Sequence, residues 1–185
     1  MKKRLPAYEP KFDKEQVERL KRLYLADEKD RVKEARAFEA GACIRQGDFS
    51  RKPLEMIYEW KTRGRGKGRL ARNSDEEICD ALRLAVMAET ERAAVAVLKG
   101  LQGVGVPVAS AILTAIDQER YTVIDFRALE ALGVKIPLPT INAYLEYLAY
   151  CREQAREWKV PLRDLDRALW QWSKEQSGKS GKNSV

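Results

Sequence analysis

Apolar residues recur every three to four positions through most of the chain, which is the spacing typical of amphipathic helices. Residues 1–12 precede this pattern and are predicted to form an arm, because two prolines there prevent a helix. Asp13 is predicted to cap the first helix, and a second helical stretch is expected to stop at Gly41. No segment has the alternation of a convincing strand, so the pattern predicts an all-α fold.

Helical signals continue through the second half of the chain. Ser74 and Glu77 have the spacing of a capping box, and Thr140 is predicted to begin a long helix. Residues 176–185 are rich in serine, glycine and lysine, a composition that predicts a disordered tail. The single helical domain is therefore expected to span residues 13–175.

Positive charge is concentrated in one short part of the sequence. The net charge is +7, and the stretch from Arg51 to Arg72 contains eight lysines and arginines but only two acidic residues. Within it, residues 61–72 combine glycines with cations, which disfavours a stable helix and predicts a mobile basic loop. Such a loop is either a solvated surface or a contact for a polyanion. We favour contact with nucleic acid through four of its side chains: Arg63, Arg65, Lys67 and Arg69.

The composition excludes several kinds of chemistry. The chain has no histidine, so Ser-His and Cys-His triads and histidine-ligated zinc are excluded. The three cysteines are far apart and are interpreted as buried thiols in a reducing compartment. No apolar run approaches the ~20 residues of a membrane span, and no secretory signal follows the basic N-terminus. We therefore expect a cytoplasmic protein that does not enter membranes and binds no side-chain-ligated metal or redox cofactor.

Two helical patterns flank a short turn in the middle of the chain. Gly103 and Gly105 surround a single valine, Val104, and allow a tight turn that another backbone can approach closely. Pro107 suits the first turn of the helix that follows. The free amides at the start of that helix favour an anion such as a phosphate. Residues 98–116 are therefore predicted to form a helical hairpin.

The stretch LKGLQGVGVPVASAIL, at residues 98–113, resembles the helix-hairpin-helix element of the HhH-GPD superfamily of DNA glycosylases. That superfamily includes endonuclease III and the adenine and 3-methyladenine glycosylases. The resemblance extends to Asp125, which lies 20 positions after Gly105, and covers about a fifth of the chain. It implies a two-lobed helical fold and an enzyme that flips a damaged or modified base out of DNA and excises it.

The resemblance also implies roles for individual residues. Asp125 is the expected catalytic carboxylate beside the sugar of the extruded nucleotide. The main chain of Gly103, Val104 and Gly105 is expected to grip the DNA backbone, with a monovalent cation bridging hairpin carbonyls to a phosphate as one option. Pro107 stands where strand-cutting members carry a nucleophilic lysine. The resemblance therefore predicts a monofunctional glycosylase without lyase activity.

Several assignments stay open at the level of sequence. Asp125 also fits a plain N-cap of the helical run that follows it. Arg127 is assigned to DNA binding, although pairing with an acidic neighbour fits equally well. Tyr58 and Trp60 are candidates for the base pocket, and Tyr58 fits the core stripe as well.

Two other functions also fit the sequence. One is a non-catalytic helix-hairpin-helix DNA-binding protein, and the other is an RNA-binding or scaffolding helical protein. The favoured interpretation remains a monomer that acts on double-stranded DNA.

Overall fold

The protein is all-helical, as the periodicity predicts. A computed structural model describes residues 8–135 and 139–180, which form ten α-helices and no strand. The helices are α1 (Lys14–Ala26), α2 (Glu28–Arg45), α3 (Arg51–Thr62), α4 (Lys67–Leu70), α5 (Asp75–Met87), α6 (Glu91–Leu98), α7 (Val106–Ile116), α8 (Phe126–Ala131), α9 (Ile141–Trp158) and α10 (Leu162–Ser180). None of these described helices is long and apolar enough to cross a membrane.

Several helices begin at the side chains that the sequence marks as caps. Asp13 accepts a hydrogen bond from the amide of Gln16 at 3.1 Å, and the Gln16 side chain accepts one from the Asp13 amide. Ser74 and Glu77 make the same reciprocal pair at the start of α5. These caps satisfy amides that have no partner inside the helix. Each cap is complete within three residues, so local sequence is enough to locate it.

Helix α7 lies at the centre of the molecule, with nine of its eleven residues buried. It packs against α2, α3 and α6. Gly41 lies inside α2, where an added Cβ would stand only 2.0 Å from the carbonyl oxygen of Ala115 in α7. The predicted stop at Gly41 is therefore wrong, because this glycine lets two helix backbones touch and α2 continues to Arg45.

The two ends of the chain pack together. Helix α1 lies against α10, and α10 also packs on α8. In the arm, the amides of Glu9 and Lys11 donate to the carbonyls of Leu132 and Ala131. The described part of the predicted arm is thus non-helical but docked. Residues 1–7 lie outside the described residues.

The predicted tail starts too early. Helix α10 continues to Ser180, so the expectation of disorder is wrong for residues 176–180. The Arg127 guanidinium donates to the hydroxyls of Ser173 and Ser177, and this contact with α8 helps to hold the last turns of α10. Residues 181–185 lie outside the described residues.

Candidate active site and nucleic-acid interface

Asp125 uses its two carboxylate oxygens for different partners. One oxygen, Oδ1, accepts the amide of Ala128 at 3.0 Å and caps α8. The other, Oδ2, accepts a hydrogen bond from Nζ of Lys61 at 2.8 Å. The side chain of Asp125 remains 19% exposed. The cap predicted from the sequence is therefore present, and it uses only one of the two carboxylate oxygens.

Lys61 reaches Asp125 from the last turn of α3, and its side chain is only 12% exposed. The sequence places Lys61 at the edge of the basic segment, with nothing that separates it from the neighbouring cations. Its pairing with a carboxylate 64 positions away depends on how the fold brings the end of α3 to the start of α8. Sequence reasoning therefore did not single out this residue.

Asp125 and Lys61 both line a cleft of about 570 Å³. Seven lysine and arginine side chains line it against three aspartates, Asp30, Asp125 and Asp166. The cations are Lys33, Lys61, Arg63, Arg65, Arg127, Arg163 and Arg167, and the aromatic lining residues are Tyr24, Trp60, Phe126 and Trp170. A concave site with excess positive charge and aromatic surfaces suits a ligand that is anionic and carries flat rings.

The environment of Asp125 keeps its carboxylate ionised. Burial by itself raises the pKa of a carboxyl group. The charge and hydrogen bond of Lys61, together with the amides of Ala128 and Arg127, outweigh burial and hold the pKa of Asp125 below its usual range. A carboxylate in this state can stabilise a positive charge or accept a proton at neutral pH.

Asp166 is a second carboxylate in the cleft, in a different environment. It accepts hydrogen bonds from the Val123 amide at 3.3 Å and from the Arg163 guanidinium. Burial raises the pKa of Asp166 above its ordinary value, against the opposing charge of Arg163 and with a further increase from the Asp125 carboxylate. The pKa values of the two carboxyl groups are thus shifted in opposite directions, a pattern that often marks functional sites.

Arg163 links Asp166 to helix α2. Its guanidinium donates to Glu34 at 2.8 Å and lies 5.4 Å from the centre of the Trp60 ring. Arg163, Glu34 and Asp166 are all buried. Arg163 and Asp166, which belong to a buried ionic network, therefore line the floor of the cleft, and the Trp60 indole lies against the guanidinium. The sequence carries no local signal for this network, because Glu34 and Arg163 are 129 positions apart.

The predicted hairpin is present, since α6 and α7 are joined by a tight turn at residues 99–105. Gly103 has φ +85°, and a Cβ there would lie 3.1 Å from the amide nitrogen of Leu70. Gly105 precedes α7 and provides no side chain to cap its first-turn amides. The side chain of Val104 is buried and its amide donates to Leu101, so Val104 stabilises the turn and does not offer its N–H.

Asn73 fastens the hairpin turn to the basic segment. Its side-chain amide accepts from the Gln102 amide at 2.7 Å and donates to the Gln102 carbonyl at 3.0 Å. The same Nδ2 donates to the carbonyl of Leu70. Asn73 is almost fully buried, and sequence reasoning did not identify it. It places the turn and the end of the basic segment side by side.

Helix α3 connects the hairpin to the cleft. The Tyr58 hydroxyl donates to the carbonyl of Gly103 at 3.4 Å, while Lys61, one turn further along α3, pairs with Asp125. Residues three apart lie on the same face of a helix. Two side chains on one face of α3 therefore contact the hairpin turn and the candidate carboxylate.

The basic segment at residues 61–72 is folded. Helix α3 continues through Thr62, Arg63 adopts a left-handed conformation with φ 53°, and α4 then brings Leu70 into the core. The segment is therefore partly helical where the sequence predicted a loop without stable helix, because its glycines supply turns around one buried leucine.

The predicted DNA-binding cations occupy two places. Arg63 and Arg65 line the cleft, and the Cβ of Arg69 lies next to Gly103. Lys67 lies 3.7 Å from a carboxylate oxygen of Glu59. Arg127 lines the cleft with its guanidinium 5.2 Å from the centre of the Trp170 ring. Arg127 thus pairs with hydroxyls and an indole, and no acidic neighbour pairs with it among the described residues.

The two candidates for the base pocket have different positions. Trp60 lines the cleft, as the prediction requires. Tyr58 is only 2% exposed and does not line it, so its assignment to the base pocket is wrong. Its ring belongs to the core and its hydroxyl supports the hairpin turn. Trp170 also lines the cleft, and sequence reasoning did not select it.

Metal-binding groups and known relatives give no further guidance. The described residues contain no cluster of three or more acidic, cysteine or histidine side chains that could hold a metal ion. Comparison with protein-family models, curated protein sequences and solved structures found no match for this chain. Any functional assignment therefore depends on the geometry of the site and on the resemblance in the hairpin.

Proposed function

We propose that this protein is a DNA glycosylase that hydrolyses the bond between a modified base and its deoxyribose, with Asp125 as the catalytic carboxylate. The observation that carries the proposal is the position of Asp125. It is an ionised carboxylate on the wall of a cation-rich cleft, and α3 connects that cleft to the Gly-Val-Gly turn. A negative charge beside a bound polyanion is unfavourable in itself, and a chemical role would account for its position there.

The chemistry of base release supplies such a role. Breaking the bond from the base to C1′ builds positive charge on the sugar ring. A fixed carboxylate stabilises that charge and can accept a proton from the attacking water. The base must first leave the duplex stack, at a cost of a few kcal/mol. Trp60 and Trp170 line the cleft, and aromatic side chains are common stacking partners of an unpaired base.

The hairpin and the neighbouring basic residues form the binding surface for the DNA backbone. The first-turn amides of α7 have no side-chain cap and favour a phosphate. The carbonyls of Gln102 and Gly103 each receive one side-chain hydrogen bond and have a second lone pair left. These carbonyl oxygens are suitable ligands for a monovalent cation, which would bridge the turn to a phosphate. Base release by Asp125 does not depend on such a cation.

The first experiment uses duplexes that each carry one modified base, followed by alkali to cleave the abasic sites formed. We expect the wild-type protein to release at least one such base. Asp125→Asn should reduce the rate by about 100-fold or more, as for loss of an electrostatic stabiliser in other enzymes. The asparagine keeps an oxygen that can cap α8, so duplex affinity and thermal unfolding are the matched controls. Equal rates in the two proteins would refute the proposal.

The same materials separate the competing functions. A non-catalytic DNA-binding protein would bind duplexes without releasing any base from the panel. An RNA-binding or scaffolding protein would show no preference for duplex DNA over RNA across a salt series.

A further inference from the structure

Arg127 lines the cleft, and no carboxylate among the described residues forms an ion pair with it. Its Nη1 donates to the hydroxyls of Ser173 and Ser177, at 3.3 and 3.4 Å. Glu130 reaches this group only through the Ser173 hydroxyl, which donates to it. The hydroxyls fix the position of the guanidinium and leave its positive charge uncompensated.

The Arg127 guanidinium also lies beside two aromatic rings of the cleft. Its Cζ is 5.1 Å from the centre of the Phe126 ring and 5.2 Å from the centre of the Trp170 ring. Both rings line the cleft, and Phe126 is 69% exposed although it is a large apolar side chain. A planar ligand beside these rings therefore comes close to a fixed positive charge.

The other cations that line the cleft differ from Arg127. Four of them lie within 4 Å of a carboxylate oxygen: Lys61, Arg63, Arg163 and Arg167. The remaining two, Lys33 and Arg65, are exposed, whereas Arg127 is partly buried. Arg127 therefore combines a fixed position with a charge that is available to a bound anion.

Release of a base from its sugar can follow two routes. An alkylated or protonated base carries a positive charge and leaves as a neutral molecule. A neutral base leaves as an anion, because the electron pair of the C1′–N bond stays on its ring nitrogen. A proton donor favours the first route, whereas a fixed positive charge beside the base favours the second.

The cleft fits the second route. The chain has no histidine, and Asp125 is ionised. The Asp166 side chain is only 5% exposed and is bonded to the Val123 amide and to Arg163. Seven cations line the cleft against three aspartates, an excess that repels a positively charged base and attracts a negative one.

We propose that Arg127 is a catalytic residue that stabilises the departing base as an anion. The substrates are then neutral bases whose ring nitrogen holds a negative charge well, and alkylated bases with a positive charge are excluded. This inference rests on the proposed function and names its substrate class. It also moves Arg127 from the binding of the DNA backbone to the binding of the base.

The reaction balances with water as the only reagent. The C1′–N bond breaks with its electron pair on the base, while Arg127 stabilises the negative charge of the base and Asp125 the positive charge of the sugar. Water then adds to C1′ and gives up one proton, and the released base gains one. Two fixed charges of opposite sign thus act on the two products of one bond cleavage.

The experiment measures single-turnover release from duplexes that differ in the leaving base. One set carries uracil with hydrogen, methyl, fluorine or bromine at C5, a second carries hypoxanthine or xanthine, and one duplex carries the cationic base 7-methylguanine. Within a set, the rate constant should rise with the acidity of the free base, by about 10-fold or more between the methyl and fluorine members. Release of 7-methylguanine should be no faster than without protein.

Arg127→Gln removes the charge beside the base. It should slow the release of unsubstituted uracil by about 100-fold and that of 5-fluorouracil by about 10-fold, since a better leaving group needs less stabilisation. Arg127→Lys keeps a positive charge and should restore part of the lost rate. Arg63→Gln is the matched control, because Arg63 also lines the cleft but lies 3.6 Å from Asp30, and it should change all rates by one common factor.

A purely structural role of Arg127, through its contacts with α10, would also slow every substrate by one common factor. The inference is overturned by that result, by a preference for 7-methylguanine, or by rates that do not follow base acidity. The last two results need only the wild-type protein, so they do not depend on the folding of a variant. In each of these cases base release persists and the glycosylase function stands, whereas a protein that releases no base loses both.

Discussion

At the scale of single residues, Asp125 is both an N-cap and a cleft carboxylate. Its Oδ1 accepts the amide of Ala128, so the rotamer of the side chain is held by the start of α8. Its Oδ2 is left for Lys61 and for the cleft. A carboxylate fixed by its own helix is already oriented when a substrate arrives, which is what electrostatic catalysis requires.

The pKa of Asp125 should depend on Lys61. In the wild-type protein the pKa is below its usual value of about 3.9, so the carboxylate should stay ionised to below about pH 4. Lys61→Met removes the opposing charge, and burial should then raise the pKa. The acid limb of the base-release profile should move to higher pH, and a carboxyl titration followed by NMR should show the same shift. An unchanged titration in Lys61→Met, with Lys33→Met as the control, would contradict this account.

The same pair makes a contribution to stability with a defined sign. Because the folded-state pKa of Asp125 is depressed, the contribution is fully present above the unfolded pKa of about 3.9. It is lost as the pH falls through the lower, folded-state pKa.

At the scale of helices, a close backbone contact brings α2 directly against the buried helix α7. Gly41 lies where the two backbones meet, and nearly all of α7 is buried. A buried helix that is apolar on all sides needs close neighbours on every face. Because position 41 is a glycine, the backbone of α2 can lie directly against one face of α7.

Gly41→Ala should therefore destabilise the protein. The new Cβ would stand 2.0 Å from the Ala115 carbonyl oxygen, so α2 and α7 would have to separate. We expect a loss of about 1–3 kcal/mol in the free energy of unfolding, as for other overpacked cores, measured by urea denaturation. Gly178→Ala is the matched control, because it is a helical glycine with no atom within 4 Å of its added Cβ. Equal stability of the two variants would show that the helices are not in close contact.

At the scale of the whole molecule, a buried ionic network joins α10 to α2. Arg163 donates to Glu34 and to Asp166, and Arg167 also donates to Glu34, at 2.9 Å from Nε. Burial raises the pKa of Glu34, but the charges of Arg163 and Arg167 outweigh it and leave that pKa lowered. The network brings chain segments from both ends of the sequence to the floor of the cleft.

Removing the centre of this network should be costly. Arg163→Met leaves Glu34 and Asp166 buried without their shared partner. We expect a loss of about 3–5 kcal/mol in the free energy of unfolding, measured by chemical denaturation. Arg156→Met removes an exposed pair with Glu153 and should change that energy by less than about 0.5 kcal/mol. A small effect at Arg163 would mean that the floor of the cleft is hydrated.

The charge of the whole molecule gives a further prediction. If the cleft and basic segment bind the DNA backbone, the logarithm of the duplex affinity should fall steeply with the logarithm of salt concentration. Replacing Arg65 or Arg69 with glutamine should reduce that slope by about 0.9 for each phosphate that is no longer neutralised. Arg83→Gln, on the exposed side of α5, is the control and should leave the slope unchanged. Identical slopes in all three variants would show that the basic segment does not contact the DNA backbone.

Errors in the sequence-based predictions share a cause. Gly41, residues 61–72 and residues 176–180 were assigned from local composition, and in each case a contact with a distant part of the chain decided the structure. Ala115 meets Gly41, the buried Leu70 anchors the basic segment, and Arg127 contacts the end of α10. Local propensity is a weak guide wherever tertiary packing acts on the same residues.

The sequence by itself determined the helical class, several helix starts with their caps and the hairpin, because the hydrogen bonds that begin a helix form between residues three apart. Asp125 could be recognised as an N-cap for the same reason, and the resemblance in the hairpin then made it the candidate carboxylate. Only the tertiary structure decided what faces it. The other groups that line its cleft come from helices far away in the sequence: Lys61, Asp166, Arg163 and Trp170. Electrostatic pairing at about 3 Å depends on how those helices pack.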